Sequence, residues 1–140
     1  MSKKSAKIAA LIEECQGKAL PAHYLGYFEC FNRQLFYEAH DVLEELWLPV
    51  RHSDDGKFYQ GLIQLAGAFV HLQKERLRPA AALFEKARAN LAKYPALHHS
   101  LDVQKTLELI DLWSGRLRAP EFADNPLRTN PPPVLNVERR

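Results

Sequence analysis

Sixteen consecutive residues, 58–73, carry no formally charged side chain. Their apolar groups recur with a helical period, so the segment is a helix that is apolar around most of its circumference. Such a helix would expose a wide apolar face if it lay on a surface. It is stable when other helices enclose it. The run is also shorter than the eighteen or so apolar residues of a membrane span. The chain is therefore predicted to be all-α, a single-domain bundle around one central buried helix. At 140 residues with 46% hydrophobic and 26% charged side chains, it has enough core to fold without disulfides or metal.

The remaining patterned stretches also repeat with helical period, and no alternating run of β-branched or aromatic residues marks a strand. Six helices are expected: 5–16, 22–31, 35–48, 57–77, 79–93 and 102–114. Gly17, Pro49, Tyr94-Pro95 and Gly115 supply stops, Asn32 a candidate cap, and Pro79 a first-turn residue. After Ala119 the pattern ends. Pro120, Pro126 and Pro131-Pro132-Pro133 predict an extended tail, which divides the chain into a helical domain, 1–118, and a tail, 119–140. Trp47 and Phe69 fall near the middle of their helices' apolar arcs and are expected in one core.

Nineteen basic and seventeen acidic residues give a net charge of +2, too little to argue for nucleic acid or an anionic membrane as partner. The apolar run 8–12 is too short for a secretory signal. Cys15 and Cys30 form no C-x-x-C and fall in helical patterns, which suits reduced thiols in the cytoplasm. Charge is split along the chain: residues 29–55 hold two basic and seven acidic groups, residues 72–93 six basic and two acidic. These read as solvated faces or as partners of antiparallel helices.

Placed at 100° per residue, Leu35, Ala39, Val42, Leu43, Leu46 and Trp47 cover one arc of the third helix, with His40 and Glu44 on its flank as i,i+4 neighbours. On the fourth helix a narrow stripe of Gln60, Gln64, Gly67 and His71 interrupts the apolar arc. A buried helix must satisfy such a stripe against something. Consecutive helices joined by a short turn pack antiparallel, so His40, Glu44, Gln64 and His71 are expected to converge in one hydrogen-bonded cluster beside Gly67, with Tyr37 or Tyr59 near its mouth.

The segments Phe36-Tyr37-Glu38-Ala39-His40-Asp41-Val42-Leu43-Glu44-Glu45-Leu46-Trp47 and Phe58-Tyr59-Gln60-Gly61-Leu62-Ile63-Gln64-Leu65-Ala66, with Phe31-Asn32 and His71-Leu72-Gln73, resemble the small helical family known as domain of unknown function 309. The resemblance covers about residues 24–95. It implies an all-helical bundle and carries no established activity. Its motif positions correspond here to Asn32, Glu38, His40, Glu44, Trp47, Gln60, Gly61, Gln64 and His71. The chain departs where Gln34 stands in place of a frequent Gly, and where 74–79 replaces a Gly-containing turn. The first departure predicts a more helical entry to the third helix.

The candidate ligand or polar cluster is thus His40, Glu44, Gln60, Gln64 and His71, with Glu38 and Tyr37 from the same motif. Three readings stay open. The cluster is a buried network that fixes helix register, or it lines a pocket for a small molecule. Within the pocket reading, His40, Glu44 and His71 offer zinc or another divalent metal three ligands and an open position, which would permit hydrolysis. Neither H-E-x-x-H nor a paired Glu-x-x-His motif is present, so whether the chain is an enzyme is left undecided. In the third reading, Ala80-x₃-Phe84-x₂-Ala87 is half of a tetratricopeptide-like hairpin serving a protein partner or a second copy of the chain, although one unit is too few for a repeat array. His23, His52, His98 and His99 fall near helix ends or in loops. The adjacent pair His98-His99 reads as a solvated turn, because two neighbouring histidines rarely hold a metal without a third ligand.

Overall fold

The computed structural model of the chain describes residues 20–137. The expected first helix, 5–16, lies outside them. The central element is the charge-free helix, α3 (Gly56–Gln73). It packs against α2 (Phe36–Trp47) on one side and α4 (Leu77–Leu91) on the other. The aromatic-rich α1 (Ala22–Asn32) pairs with α2. Its fully buried Tyr27 donates a hydrogen bond to the Leu62 carbonyl of α3 at 2.6 Å. α5 (Val103–Arg118) covers the outer side of α4, and α6 (Pro126–Thr129) is a single turn. A two-stranded antiparallel hairpin, β1 (Leu97–His98) and β2 (Leu101–Asp102), leads into α5. The fold is all-α with this small exception.

Phe69 sits at the middle of the core, stacked on Phe36 with ring centroids 5.0 Å apart. Its other faces meet Phe31, Phe84 and Trp113 edge-on. Trp113 of α5, not Trp47, is thus the tryptophan beside Phe69. Trp47 packs at the core's margin with its indole N–H buried and without a hydrogen-bond partner among the described residues. Ala80, Phe84 and Ala87 are fully buried, so the tetratricopeptide-like pattern on α4 is an interior packing face. Gly61 allows close approach here: a Cβ on it would lie 2.8 Å from Leu91 Cγ.

Several boundaries differ from the sequence reading for identifiable reasons. Gln34 does not extend the helix. It adopts φ 64°, Leu35 N–H donates to the Cys30 carbonyl at 2.9 Å, and Gln34 N–H donates to Phe31 at 3.0 Å. That bond pair is the Schellman closure, with glutamine in the left-handed position usually held by glycine. Glu75, at φ 59°, closes α3 in the same way, four residues earlier than expected. Asn32 caps no helix, because its side chain grips the tail: it donates to the Leu135 carbonyl and accepts from Leu135 N–H, both at 2.8 Å. Gly115 does not stop α5, which runs on to Arg118 and buries Leu117.

The segment expected to be an extended tail contains α6, whose Asn125 cap accepts from Leu127 N–H and donates to the Leu72 carbonyl of α3. Farther on, Leu135 is buried and Val137 bridges Leu101. Residues 72–93 pair with α5 and this segment through both signs of charge: Arg88 with Asp111, and the stretch's two acidic residues Glu85 and Glu75 with Arg118 and Arg128. Among the described residues no helix is long and apolar enough to cross a membrane.

Candidate functional site

Because α2 and α3 pack side by side, the flank of one and the stripe of the other meet at the surface, where α4 closes the third side. A cavity of about 230 Å³ opens there, lined by Tyr37, His40, Gln64, Gly67, His71 and the apolar groups Ile63, Val70 and Leu83. The missing side chain at Gly67 is filled by α4: a Cβ there would lie 3.1 Å from Leu83 Cδ1. Tyr37, half exposed, lies nearly parallel to His40 with ring centroids 6.5 Å apart.

The polar groups of this cavity do not satisfy one another. His40 Nδ1 and His71 Nδ1 are both buried and have no hydrogen-bond partner among the described residues. The Asp41 carboxylate stands 3.8 Å from His40 Nδ1, beyond hydrogen-bonding reach. Gln64 turns away to α4, where its Oε1 accepts from Asn90 Nδ2 at 2.8 Å. Burial, reinforced by the positive charges of Arg76 and Lys74, holds His71 below its usual 6.5, so its imidazole is neutral at pH 7. The expected hydrogen-bonded cluster of His40, Glu44, Gln64 and His71 is therefore not formed among the described residues. Glu38 and Glu44 are half-buried on α2 outside the cavity wall, and Gln60 accepts from Lys57 Nζ at 3.2 Å one turn below it.

A second gathering of polar groups lies at the other end of α3. The turn His99-Ser100 joins β1 to β2, and the two imidazoles converge on Asp55, the residue that opens α3. His98 Nε2 donates to Asp55 Oδ1 and His99 Nε2 to Asp55 Oδ2, both at 2.8 Å. Burial pushes the Asp55 carboxyl up, but the hydrogen bonds and charges of the two histidines outweigh it and hold it below its usual 3.8. Asp55, His98 and His99 form a group of potential ligand atoms lying within 4.8 Å of one another, whereas His40, Glu44 and His71 are not gathered in this way among the described residues. The pair is thus not a solvated turn. Sequence reasoning missed it because its third member stands more than forty positions away. The one available signal was Asp54-Asp55-Gly56 at a helix start together with adjacent histidines.

Rings pack behind this group. Phe58 meets His98 edge-on at 4.7 Å, Tyr59 lies parallel to His99 at 6.0 Å, and Tyr24 donates to the His99 carbonyl at 2.9 Å. Tyr94 donates to the Asp54 carbonyl and accepts from Phe58 N–H. A larger cavity of about 310 Å³ lies between the hairpin, α5 and residues 134–137. Two polar groups in its wall are already engaged: Asp102 caps α5 at Lys105 N–H, and Thr106 donates to the Asp102 carbonyl.

Comparison with curated proteins and with solved structures returns no match. Residues 24–83 match the model of a family described as a domain of unknown function, DUF309. The match takes in every residue that lines the smaller cavity, and it includes Asp55 but neither His98 nor His99. Over that segment, from α1 to the middle of α4, the chain is similar to the domain-of-unknown-function 309 family.

Proposed function

We propose that the protein binds a small, mainly apolar molecule in the cavity between α2, α3 and α4, with the imidazoles of His40 and His71 as its polar anchors. The observation that carries this reading is the pair of buried, unpartnered ring nitrogens on two different helices beside one cavity. A closed structural network would have satisfied them, since an unmade buried hydrogen bond costs about 1–3 kcal/mol. Retaining two such groups on residues of a wall whose remaining members are Ile63, Val70, Leu83 and Gly67 with Tyr37 and Gln64 fits a site that a ligand completes. Neutral His71 offers a ring N–H and a lone pair. The Gln64 carbonyl is occupied by Asn90, which leaves its amide NH₂ as the group available to a ligand.

At about 230 Å³ the cavity is below the size of drug-like pockets, roughly 300–1,000 Å³. It suits a single ring or the end of a longer molecule, with Tyr37 as a stacking surface at its rim. Titrating ¹⁵N-labelled protein with phenol, benzoate and indole tests the reading. Amide shifts should centre on residues 37–40, 63–71 and 83, and should vanish in the double variant His40→Ala/His71→Ala. Shifts centred elsewhere, or none at millimolar probe, would remove the pocket and leave the histidines with a packing role.

A further inference from the structure

We infer that Asp55, His98 and His99 form a binding site for a divalent transition-metal ion of the zinc, cobalt and nickel class, separate from the cavity on α2 and α3. The donor set is two imidazole nitrogens and one carboxylate. Hard cations such as calcium and magnesium prefer all-oxygen sites. Soft ions prefer thiolate, and the described cysteine, Cys30, is buried in the core. Two nitrogens with one carboxylate match the borderline ions and leave coordination positions open.

The spacing is right for one ion. Adjacent ligand atoms around a centre with bonds of roughly 2.1 Å stand about 3 Å apart. Each carboxylate oxygen is 2.8 Å from one imidazole Nε2, so a small spreading of the three side chains admits the ion. Solvent reaches all three, with side-chain exposures of 22%, 35% and 34% for His98, His99 and Asp55.

Two features show local geometry arranged around the donors. Successive side chains of an extended strand point to opposite faces, so neighbouring histidines on a strand cannot share a ligand. Here His99 at φ 46° and Ser100 at φ 63° put both loop residues in the left-handed region, making a type I′-like hairpin without glycine or asparagine. That strained turn brings the two rings to one side, with centroids 4.3 Å apart. The second feature is Asp55 itself. It occupies the N-cap position of α3, where an aspartate normally bonds the first free N–H groups, yet its side chain makes no cap bond and is committed to the histidines.

Binding needs no reactant beyond the ion. A neutral ring now protonated at Nε2 moves that proton to Nδ1 through solvent and offers the freed lone pair. A doubly protonated ring releases its Nε2 proton to water, so ion uptake is weakened by acid. Behind the ligands, the Tyr24 bond to the His99 carbonyl and the packing of Phe58 and Tyr59 limit ring motion, as outer-shell groups do in metal sites.

The test uses full-length protein without a histidine tag, stripped with chelator and titrated with Co(II) while visible absorption is followed. The expected result is one ion per chain, with affinity lowered about 100-fold or more in Asp55→Asn and in His98→Ala, and unchanged in His40→Ala/His71→Ala. The last variant separates this site from the proposed pocket, so either can fail alone. Far-ultraviolet circular dichroism checks that each variant is folded. Should one unfold, paramagnetic broadening of the wild-type His98 and His99 ring resonances by Co(II) gives the same answer. Absence of binding at 100-micromolar ion (an order-of-magnitude threshold, roughly −5 to −6 kcal/mol), or binding unaffected by Asp55→Asn, would overturn the inference and reduce the trio to a hydrogen-bonded clamp.

Discussion

Replacing Gln34 by glycine should make the protein more stable, although glycine ordinarily weakens a folded chain. Gln34 holds φ 64° in the Schellman closure of α1. A residue with a Cβ in that region is disfavoured by about 1–2 kcal/mol, whereas glycine enters it freely but gives up roughly 0.5–1 kcal/mol more backbone entropy on folding. The difference is a gain of about 0.5–1 kcal/mol for Gln34→Gly. Little opposes it, because the side chain is exposed and the bond from Gln73 Nε2, at 3.1 Å, goes to the Gln34 main-chain carbonyl. Urea unfolding should show a higher midpoint with an unchanged slope. In a thermal scan the shift should be about 2–4 °C upward. Gln34→Ala is the control, since it keeps the Cβ and should gain nothing. A lower midpoint for the glycine variant, or an equal gain for alanine, would refute the argument from backbone conformation.

Gly115→Ala should also stabilise, by about 0.5–1 kcal/mol in the same assay, because the position is an exposed helix interior and an added Cβ would meet nothing within 4 Å. Phe69→Ala removes a fully buried ring that contacts four other aromatic residues and should cost about 3–5 kcal/mol; a loss below about 1 kcal/mol would show that the core collapses around it. Arg88 donates to both Asp111 oxygens, and that hydrogen bonding, aided by its charge, holds Asp111 below the usual 3.8. The pair's stabilisation is present above about pH 4 and lost as pH falls through the lowered folded-state value. Asp111→Asn should therefore cost under about 1 kcal/mol at pH 7, measured by urea unfolding, and progressively less as pH falls through the lowered value or as salt is raised.

The helices were legible wherever burial is periodic. The charge-free run 58–73 predicted both the existence of α3 and its central place, because only enclosure by other helices hides so wide an apolar arc. Helix ends were less legible, since closure depends on groups elsewhere. Asn32 has the chemistry of a cap, but the tail residue Leu135 takes both of its hydrogen bonds. Gly115 has the chemistry of a stop, but burial of Leu117 carries α5 past it.

The candidate site divides in the same way. That His40 and Gln64, Gly67 and His71 lie on particular flanks of their helices follows from a 100° step, which is local geometry and can be read from the chain. Whether those flanks hydrogen-bond or leave a cavity depends on side-chain reach, on the Asn90 amide from α4 and on Leu83 filling the gap at Gly67. The trio of Asp55, His98 and His99 lies wholly beyond such reading. Its members are separated by 43 and 44 positions, and a left-handed turn at His99-Ser100 decides that the rings face one carboxylate. By itself, then, the sequence determined which of the long described segments are helices and which face of each is buried, because those depend on neighbours three and four residues apart. Only the tertiary structure decided which polar groups meet, because that depends on turn conformation and on contacts between residues far apart in the chain.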